Sequence, residues 1–226
     1  MPMVKRGDDV GELILTAAKK RGLKIEDDDV LVVAQTVISK SEGAVVNLRK
    51  VRPSKRAEMI ARDLGKDPRA VEVVLEQSQG IVRLGHVIIS RTKHGLVCAN
   101  AGVDHSNVDA EHVTLLPKDP DASAQRIRKT IKKRLDVDVA VVVTDTQGRP
   151  FRCGCVGVAI GVSGMKPLLD MRGRKDLYGR ELKATVTCPA DSIAAAAVSI
   201  MGESNEAIPA VLVKGANYQK GNGSIK

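Results

Sequence analysis

Carboxylate, amide and hydroxyl side chains follow two apolar segments of the sequence, and this combination can bind hard cations. Asp104 and Asn107 stand in the block NAGVDHSN, just after the apolar run LVCA. Asp145 and Thr146 follow the run DVAVVVT, a pattern typical of a buried strand. Mg²⁺ and Mn²⁺ prefer carboxylate and hydroxyl oxygens, and nucleotide phosphates often complete their coordination shell. Both blocks are also typical of polar turns after strands, so the residues alone leave the two interpretations open.

Three further polar segments could contribute to such a site. Glu203, in the segment GESNE, is another candidate metal ligand, although an ordinary helix-to-strand loop contains such residues too. Lys40, in QTVISKSEG, has hydroxyl neighbours and could bind phosphate. The segment is not a P-loop, because the spacing G-x-x-x-x-G-K-[ST] occurs nowhere in the sequence. The arginine-rich loop 172–180 suits an anionic substrate, or else it is a charged surface loop.

Several common catalytic patterns are missing from the sequence. It contains no G-x-S-x-G, no H-E-x-x-H and no G-x-G-x-x-G after a strand. None of the four histidines pairs with an evident nucleophile. Carboxylates and cations without a nucleophile favour phosphoryl chemistry, in which the protein positions phosphates and neutralises their charge.

Composition and charge narrow the class of partner. The chain has 226 residues, of which 43% are hydrophobic and 28% charged, as in ordinary globular proteins. The formal net charge of +9 attracts anions such as phosphorylated small molecules, nucleic acid or a membrane surface, or else marks a solvated basic face. Aromatic residues make up only 1%, which disfavours base-stacking platforms for single-stranded nucleic acid.

The spacing of the cysteines and the length of the apolar runs indicate the cellular compartment of the protein. Cys153 and Cys155 form a C-x-C pair rather than the C-x-x-C of common zinc and redox sites, and Cys98 and Cys188 lie far from them in sequence. We therefore expect small thiols without a catalytic role. No run approaches eighteen apolar residues, and the first residues contain no signal-peptide core. These features predict a soluble cytoplasmic protein without membrane contact.

Apolar periodicity predicts interspersed helices and strands. Helices are predicted at residues 10–20, 54–64, 123–135 and 192–201, the last of them ending at Gly202. Strands are predicted at residues 29–34, 86–90, 96–99, 138–144, 184–187 and 208–213. This order favours an α/β or mixed α+β class with at least one mixed β-sheet and packed helices, but not a doubly wound fold. We expect one unit over residues 1–226, with a small helical subdomain near 54–85 and a flexible, glycine-rich tail at 215–226.

Five blocks of the sequence together resemble a known family. They are GDD, VLVVAQTVISKSEG, NAGVDHSN, MGESNEAIPAVLVKG and the long run VVVTDTQGRPFRCGCVGVAIGVSGMKPLLDMRGRKDLYG. Their identity and order are similar to those of the coenzyme F420-0:L-glutamate ligase family, over nearly the whole chain. Each block alone is a weak signal, whereas the set is highly specific.

The resemblance implies a reaction. GTP would phosphorylate the terminal carboxylate of F420-0, a deazaflavin with a phospholactyl arm, and the amine of L-glutamate would attack the acyl phosphate. A second glutamate could follow through a γ-linkage, within coenzyme F420 biosynthesis. The resemblance further implies manganese or magnesium, with potassium as a candidate monovalent cation. It also implies a homodimer with an unusual two-part mixed fold, and no nucleic-acid partner.

The matching blocks also imply roles for individual residues. Asp104 and Asp145, the implied catalytic residues, would bind one divalent cation, and Thr146 and Glu203 a second. The GTP contacts would come from Gln35, Thr36, Lys40, Asn107, Met201, Gly202, Glu203, Ser204, Asn205, Glu206, Ala207 and Ile208, with residues 2–4. The loop 172–180 would bind the phosphate or carboxylate of the acid substrate.

Two other functions are weighed against this one. Another nucleotide-dependent acid–amine ligase could share the same fold, and only substrate competition would separate it from the first reading. A basic nucleic-acid-binding module centred on residues 126–134 would instead use the cations of the predicted helix 123–135.

Overall fold

The architecture is taken from a computed structural model, which describes residues 1–225. The helices within this range are α1 (Val10–Lys20), α2 (Gln35–Glu42), α3 (Lys55–Leu64), α4 (Pro68–Gln77), α5 (Pro120–Leu135) and α6 (Pro189–Met201). The strands are β1 (Val30–Ala34), β2 (Val45–Asn47), β3 (Ser78–Leu84), β4 (Ile88–Thr92), β5 (Val97–Ala99), β6 (His112–Thr114), β7 (Ala140–Gly148), β8 (Cys155–Ser163), β9 (Leu169–Asp170), β10 (Val186–Thr187) and β11 (Ala210–Val213). The predicted α/β class with mixed sheets is confirmed.

A four-stranded mixed sheet forms the centre of the larger core. Its strand order is β11-β1-β7-β8, in which β1 and β7 run parallel and the outer strands pair antiparallel. The two inner strands are buried on both faces, which explains their continuous apolar sequences. Helices α1 and α5 pack on one face through Ile14, Ile127 and Ile131. Helix α6 covers the other face through Ala194 and Ala197.

A separate core lies between Val46 and Leu115. Helices α3 and α4 pack there with the sheet β3-β4-β5 and the pair β2-β6, around buried residues such as Val73 and Ile88. Residues 54–85 supply α3, α4 and β3, so the segment predicted as a helical subdomain also contains a strand and shares its core with residues outside that range.

Helix ends follow their capping residues. Asp9, Ser54 and Asp119 accept hydrogen bonds from the first-turn amides of α1, α3 and α5. Helices α5 and α6 each begin three residues before the predicted start, at a proline in the first turn. Proline suits this position, because the amide that it lacks would have no partner within the helix.

Two elements next to the candidate site were not predicted. Residues 35–42, for which the sequence analysis predicts no secondary structure, form α2, which ends at Gly43 in the left-handed conformation. Strand β8 was missed because its glycines interrupt the apolar pattern of CVGVAIGVS. Its ladder with β7 runs from Val141 to Gly148, so the polar residues after Thr144, expected beyond the strand, continue it.

The end of the chain packs against the larger core. Lys220 pairs with Met165 in an isolated bridge, and Tyr218 and Ile225 contact the core beneath α6. The predicted flexible tail 215–226 thus makes ordered contacts through residue 225, while Lys226 lies outside the described residues. No helix in the described range has the length and hydropathy that crossing a membrane requires.

Candidate functional site

A cleft of about 690 Å³ opens where the parallel strands β1 and β7 end. Its walls come from the first residues of the chain, the start of α2, the loop 98–107, the outer part of β7 and the loop 201–209. The carboxyl ends of parallel strands are where α/β proteins commonly bind ligands. A second cavity, of about 80 Å³, lies between α1 and β11 and has no acidic lining residue.

The cleft brings together every residue to which the sequence assigned a metal or nucleotide role. These residues are Gln35, Thr36, Lys40, Asp104, Asn107, Asp145, Thr146, Met201, Gly202, Glu203, Ser204, Asn205, Glu206, Ala207 and Ile208. The segment 2–4 lines the same cleft. The arginine-rich loop 172–180 does not belong to this lining in the chain described, and its Arg172 forms an ion pair with Asp170 at 2.5 Å. The roles of the cleft residues stay predictions. The fold nevertheless brings these residues together, although the first and last of them lie more than 160 positions apart in sequence.

Asp145 is the most electrostatically perturbed carboxylate of the cleft. Burial raises its pKa from 3.8 to about 6, and the negative charges of Asp104 and Glu203 add to this effect. Gln147 opposes the rise, because its Nε2 donates a hydrogen bond to Oδ2 of Asp145 at 3.2 Å. Asp104 and Glu203 therefore lie close enough for their charges to act on the buried carboxylate of Asp145, and a bound cation would relieve this repulsion.

Asp104 is fixed by its own loop. Its backbone exchanges two hydrogen bonds with Thr114 in an isolated bridge, at 3.0 and 2.8 Å. Its carboxylate accepts from the backbone amide of Ser106 at 2.9 Å and from the Ser106 hydroxyl. The polar turn considered from the sequence is thus present, and it holds the carboxylate at the cleft instead of competing with that role.

Thr146 and Glu203 form a second pair of oxygen donors. The Thr146 hydroxyl donates to Oε1 of Glu203 at 2.8 Å. Because successive strand residues alternate between faces, Thr146 and Asp145 leave β7 on opposite sides. Both residues line the same cleft, and the resemblance assigns one cation to Asp145 with Asp104 and another to Thr146 with Glu203.

These oxygen donors fit divalent cations only in a shared coordination shell. Within residues 1–225, no group of three or more His, Cys, Asp or Glu side chains is close enough to hold a metal by itself. Magnesium is usually bound by one or two carboxylates together with substrate phosphates and water. Pairs of hard oxygen ligands match that pattern better than a closed structural metal site does.

Lys40 links the two cores at the cleft. It lies near the end of α2, and its Nζ donates to the backbone carbonyl of Asn107. Burial lowers the pKa of the ammonium group from its usual value, and the nearby carboxylates Asp104 and Asp109 oppose that shift. The side chain thus places a positive charge beside the acidic cluster, where a phosphate could also bind it.

The sequence reasoning gave no role to two residues that hold the acidic side chains. Gln147 bonds Asp145 and Ser106 bonds Asp104. Gln147 could have been found from the period of two along β7, had the strand been extended beyond Thr144. Cys98 also lines the cleft, and burial raises the pKa of its thiol to about 12, so it stays protonated.

A cleft of hard oxygen donors and one lysine, at the end of a mixed sheet, is typical of proteins that bind phosphorylated ligands through cations. Residues 1–215 match the family model of F420-0:Gamma-glutamyl ligase, and the chain belongs to this family. The resemblance seen in the five sequence blocks is therefore confirmed.

Named relatives cover nearly the whole chain. A protein of Methanopyrus kandleri is 50% identical over 213 residues, which are 94% of this chain and 82% of the relative. One of Methanothermobacter thermautotrophicus is 46% identical over 229 residues, 100% of this chain and 91% of the relative. One of Methanocaldococcus jannaschii is 48% identical over 224 residues, 99% and 88% respectively. All three relatives are named coenzyme F420:L-glutamate ligase.

Proposed function

We propose that this protein uses GTP to join L-glutamate to coenzyme F420-0, in the biosynthesis of coenzyme F420. The family membership supports the ligase reaction. The observation that carries the nucleotide and metal requirements is the single cleft that gathers Lys40, Asp104, Asp145, Thr146 and Glu203. A further glutamate would be added through a γ-linkage.

The reaction needs two bond exchanges. A carboxylate oxygen of F420-0 attacks the γ-phosphorus of GTP, the bond from that phosphorus to the β,γ-bridging oxygen breaks, and GDP leaves. The neutral amine of glutamate then attacks the acyl carbon, and the bond from that carbon to the phosphate oxygen breaks. An amide forms, and the proton that the nitrogen loses leaves with the phosphate as hydrogen phosphate. Divalent cations, held by Asp104 with Asp145 and by Thr146 with Glu203, would supply neutralisation of the phosphate charge.

The chain's own groups position the reactants. Lys40 offsets negative charge on the transferring phosphoryl group, at the boundary of the two cores. Gln147 and Ser106 fix the rotamers of Asp145 and Asp104, so these carboxylates need little reorganisation when the ligands bind. Potassium as a further cation, a homodimer and a cytoplasmic location stay predictions from the family resemblance and the composition.

The direct test is a ligase assay. Purified protein is mixed with GTP, Mn²⁺ or Mg²⁺, L-glutamate and F420-0, and the products are analysed by mass spectrometry. We expect a mass gain of one glutamyl residue together with GDP release. Substrate competition with other carboxylic acids separates this reaction from another acid–amine ligation on the same fold. Failure to form both products with either metal would overturn the proposal.

Replacing Lys40 tests the phosphate contact. Lys40→Met keeps the length of the side chain and removes its charge, and we expect kcat/KM for GTP to fall about 10- to 100-fold. Steady-state kinetics with GTP as the varied substrate measures this effect. Lys129→Met, on the exposed side of α5, is the matched control and should change nothing. Equal kinetics for the two variants would remove Lys40 from the nucleotide site.

A further inference from the structure

Two exposed thiols stand two residues apart where the turn between β7 and β8 enters β8. Cys153 and Cys155 are both free and both exposed. Cys155 is the first residue of β8, pairs with Gly148 across the hairpin and lines the cleft. Small molecules in solution can therefore reach both thiols, and neither thiol takes part in the ligation proposed above.

The backbone of the turn keeps the two thiols within reach of each other. The Cα atoms of residues two apart are separated by at most about 7 Å, even in a fully extended chain. Gly154, between the cysteines, has a φ of 97°, which departs from full extension and so shortens this separation. A disulfide accepts a Cα separation of roughly 4.4 to 6.8 Å. The turn can therefore hold the pair at a separation that suits a disulfide.

The other two cysteines react less readily than this pair. Burial raises the pKa of the Cys98 thiol to about 12, and burial also raises the pKa of the half-buried Cys188 thiol. Thiol–disulfide exchange needs an accessible thiolate as the nucleophile. The exposed pair is therefore where a small disulfide should react first.

Cys155 lies on the face of the hairpin that carries Thr146. Directly opposed residues of an antiparallel pair share a face, and Thr146 pairs with Gly157, two residues after Cys155. A Cβ on Gly157 would lie 2.5 Å from the side chain of Val198, a residue of α6 that lines the cleft. Because side chains alternate along a strand, Cys155 shares this face. It is thus the diagonal neighbour of a candidate metal ligand, roughly 7 to 8 Å from it.

We propose that Cys153 and Cys155 form a dithiol site that reacts with small-molecule disulfides and reversibly closes a disulfide at the rim of the cleft. One protein thiolate attacks a sulfur of the small disulfide, the bond between its two sulfurs breaks, and a small thiolate leaves. The second protein thiolate attacks the protein sulfur of this mixed disulfide and expels the other small thiolate. Two electrons thus pass to the small disulfide, and the two protons from the protein thiols end on the two small thiols.

Closing this disulfide displaces the backbone beside the cleft. The backbone amide of Arg149 donates to the carbonyl of Gly154 at 3.4 Å, and the Arg149 guanidinium donates to the carbonyl of Cys153. A bond between the two cysteine side chains moves both carbonyls, and with them the paired strand ends at Gly148 and Cys155. Since these strand ends line the cleft, the oxidised protein should ligate glutamate more slowly. This consequence rests on the proposed function, whereas the dithiol chemistry does not.

Mass spectrometry of the intact protein tests the dithiol site. The reduced, folded protein is incubated under nitrogen with oxidised glutathione. We expect the wild type to lose the mass of two hydrogen atoms, with the new bond between Cys153 and Cys155, whereas Cys153→Ser should instead keep one bound glutathione. Cys188→Ser removes a thiol outside the turn and is the matched control, so it should behave like the wild type. A wild type that keeps two glutathiones, or that stays fully reduced, would overturn the inference.

Ligation assays on the same samples test the effect on the cleft. We expect the oxidised wild type to turn over about 10-fold more slowly than the reduced protein, and to recover with dithiothreitol. The double variant Cys153→Ser/Cys155→Ser, treated with the oxidant and then with dithiothreitol, should be as active as before the treatment. An oxidised wild type with an undiminished rate would overturn the control of the cleft by this site. A reduced wild type without glutamyl transfer would overturn the proposed function, while the mass measurement still decides whether the dithiol site exists.

Discussion

Asp145→Asn should reduce the rate of glutamyl ligation about 10²- to 10³-fold while leaving the protein folded. The change keeps the shape of the side chain and its bond with Gln147, but removes the charge that would hold a cation beside the phosphates. Turnover is measured by GDP release, and Mn²⁺ binding by electron paramagnetic resonance of the free ion. Both should fall together, because the same carboxylate is involved in each.

The stability of this variant follows from the sign of the pKa shift. Burial raises the pKa of Asp145 to about 6, so the ionised carboxylate of the metal-free protein is less stable in the folded state than in the unfolded one. Asparagine carries no charge and avoids that cost. At pH 8 without metal, Tm should therefore be unchanged or higher than in the wild type. Full activity, or a large loss of Tm, would contradict the placement of Asp145 at a cation site.

An element of this fold can be predicted from the sequence when its own residues show an apolar pattern. The apolar patterns of β1, β7 and α1 predict these elements directly, because burial in the core requires apolar side chains at those positions. Strand β8 does not, since Gly157 and Gly161 remove the side chains that would mark it. These glycines are needed for contacts with helices that are distant in sequence, and such contacts leave no local pattern.

The candidate site shows the same division. The acidic residues could be selected by type and by the sequence blocks, but their proximity depends on two cores that meet at Lys40 and Asn107. The residues around each of these positions do not predict which segments will be in contact in the fold.

Carboxylates of the same chain neutralise part of the positive charge of helix α5. Its arginines suggested a nucleic-acid surface, yet Arg126 pairs with Glu42, and Arg128 pairs with Asp138 at 2.7 Å. Arg134 similarly pairs with Glu12 of α1 at 2.5 Å. Cations already engaged by carboxylates of the same chain have less charge to offer phosphates, which favours the reading of α5 as a packing helix.

Gly161→Val should destabilise the protein by about 3 kcal/mol or more. A Cβ at this position would lie 2.7 Å from the carbonyl oxygen of Pro120, at the start of α5, and would overlap the proline ring. Backbone cannot give way as a flexible side chain can, so α5 must shift from the sheet. For a chain of this size we expect Tm to fall by roughly 10 °C, measured by calorimetry.

Gly80→Val is the matched control, because it makes the same change in a strand where an added Cβ meets nothing within 4 Å. Its Tm should equal or slightly exceed that of the wild type, since valine favours strands. The contrast tests the packing of α5 on β8, for the amide of Val162 also donates to Asp121 of that helix at 2.7 Å. Equal Tm values for the two variants would mean that α5 does not pack closely against β8 at Gly161. The hairpin that carries Asp145 would then be held to α5 by the Val162–Asp121 hydrogen bond and by the apolar contacts of Ile127 and Ile131, not by the close approach at Gly161.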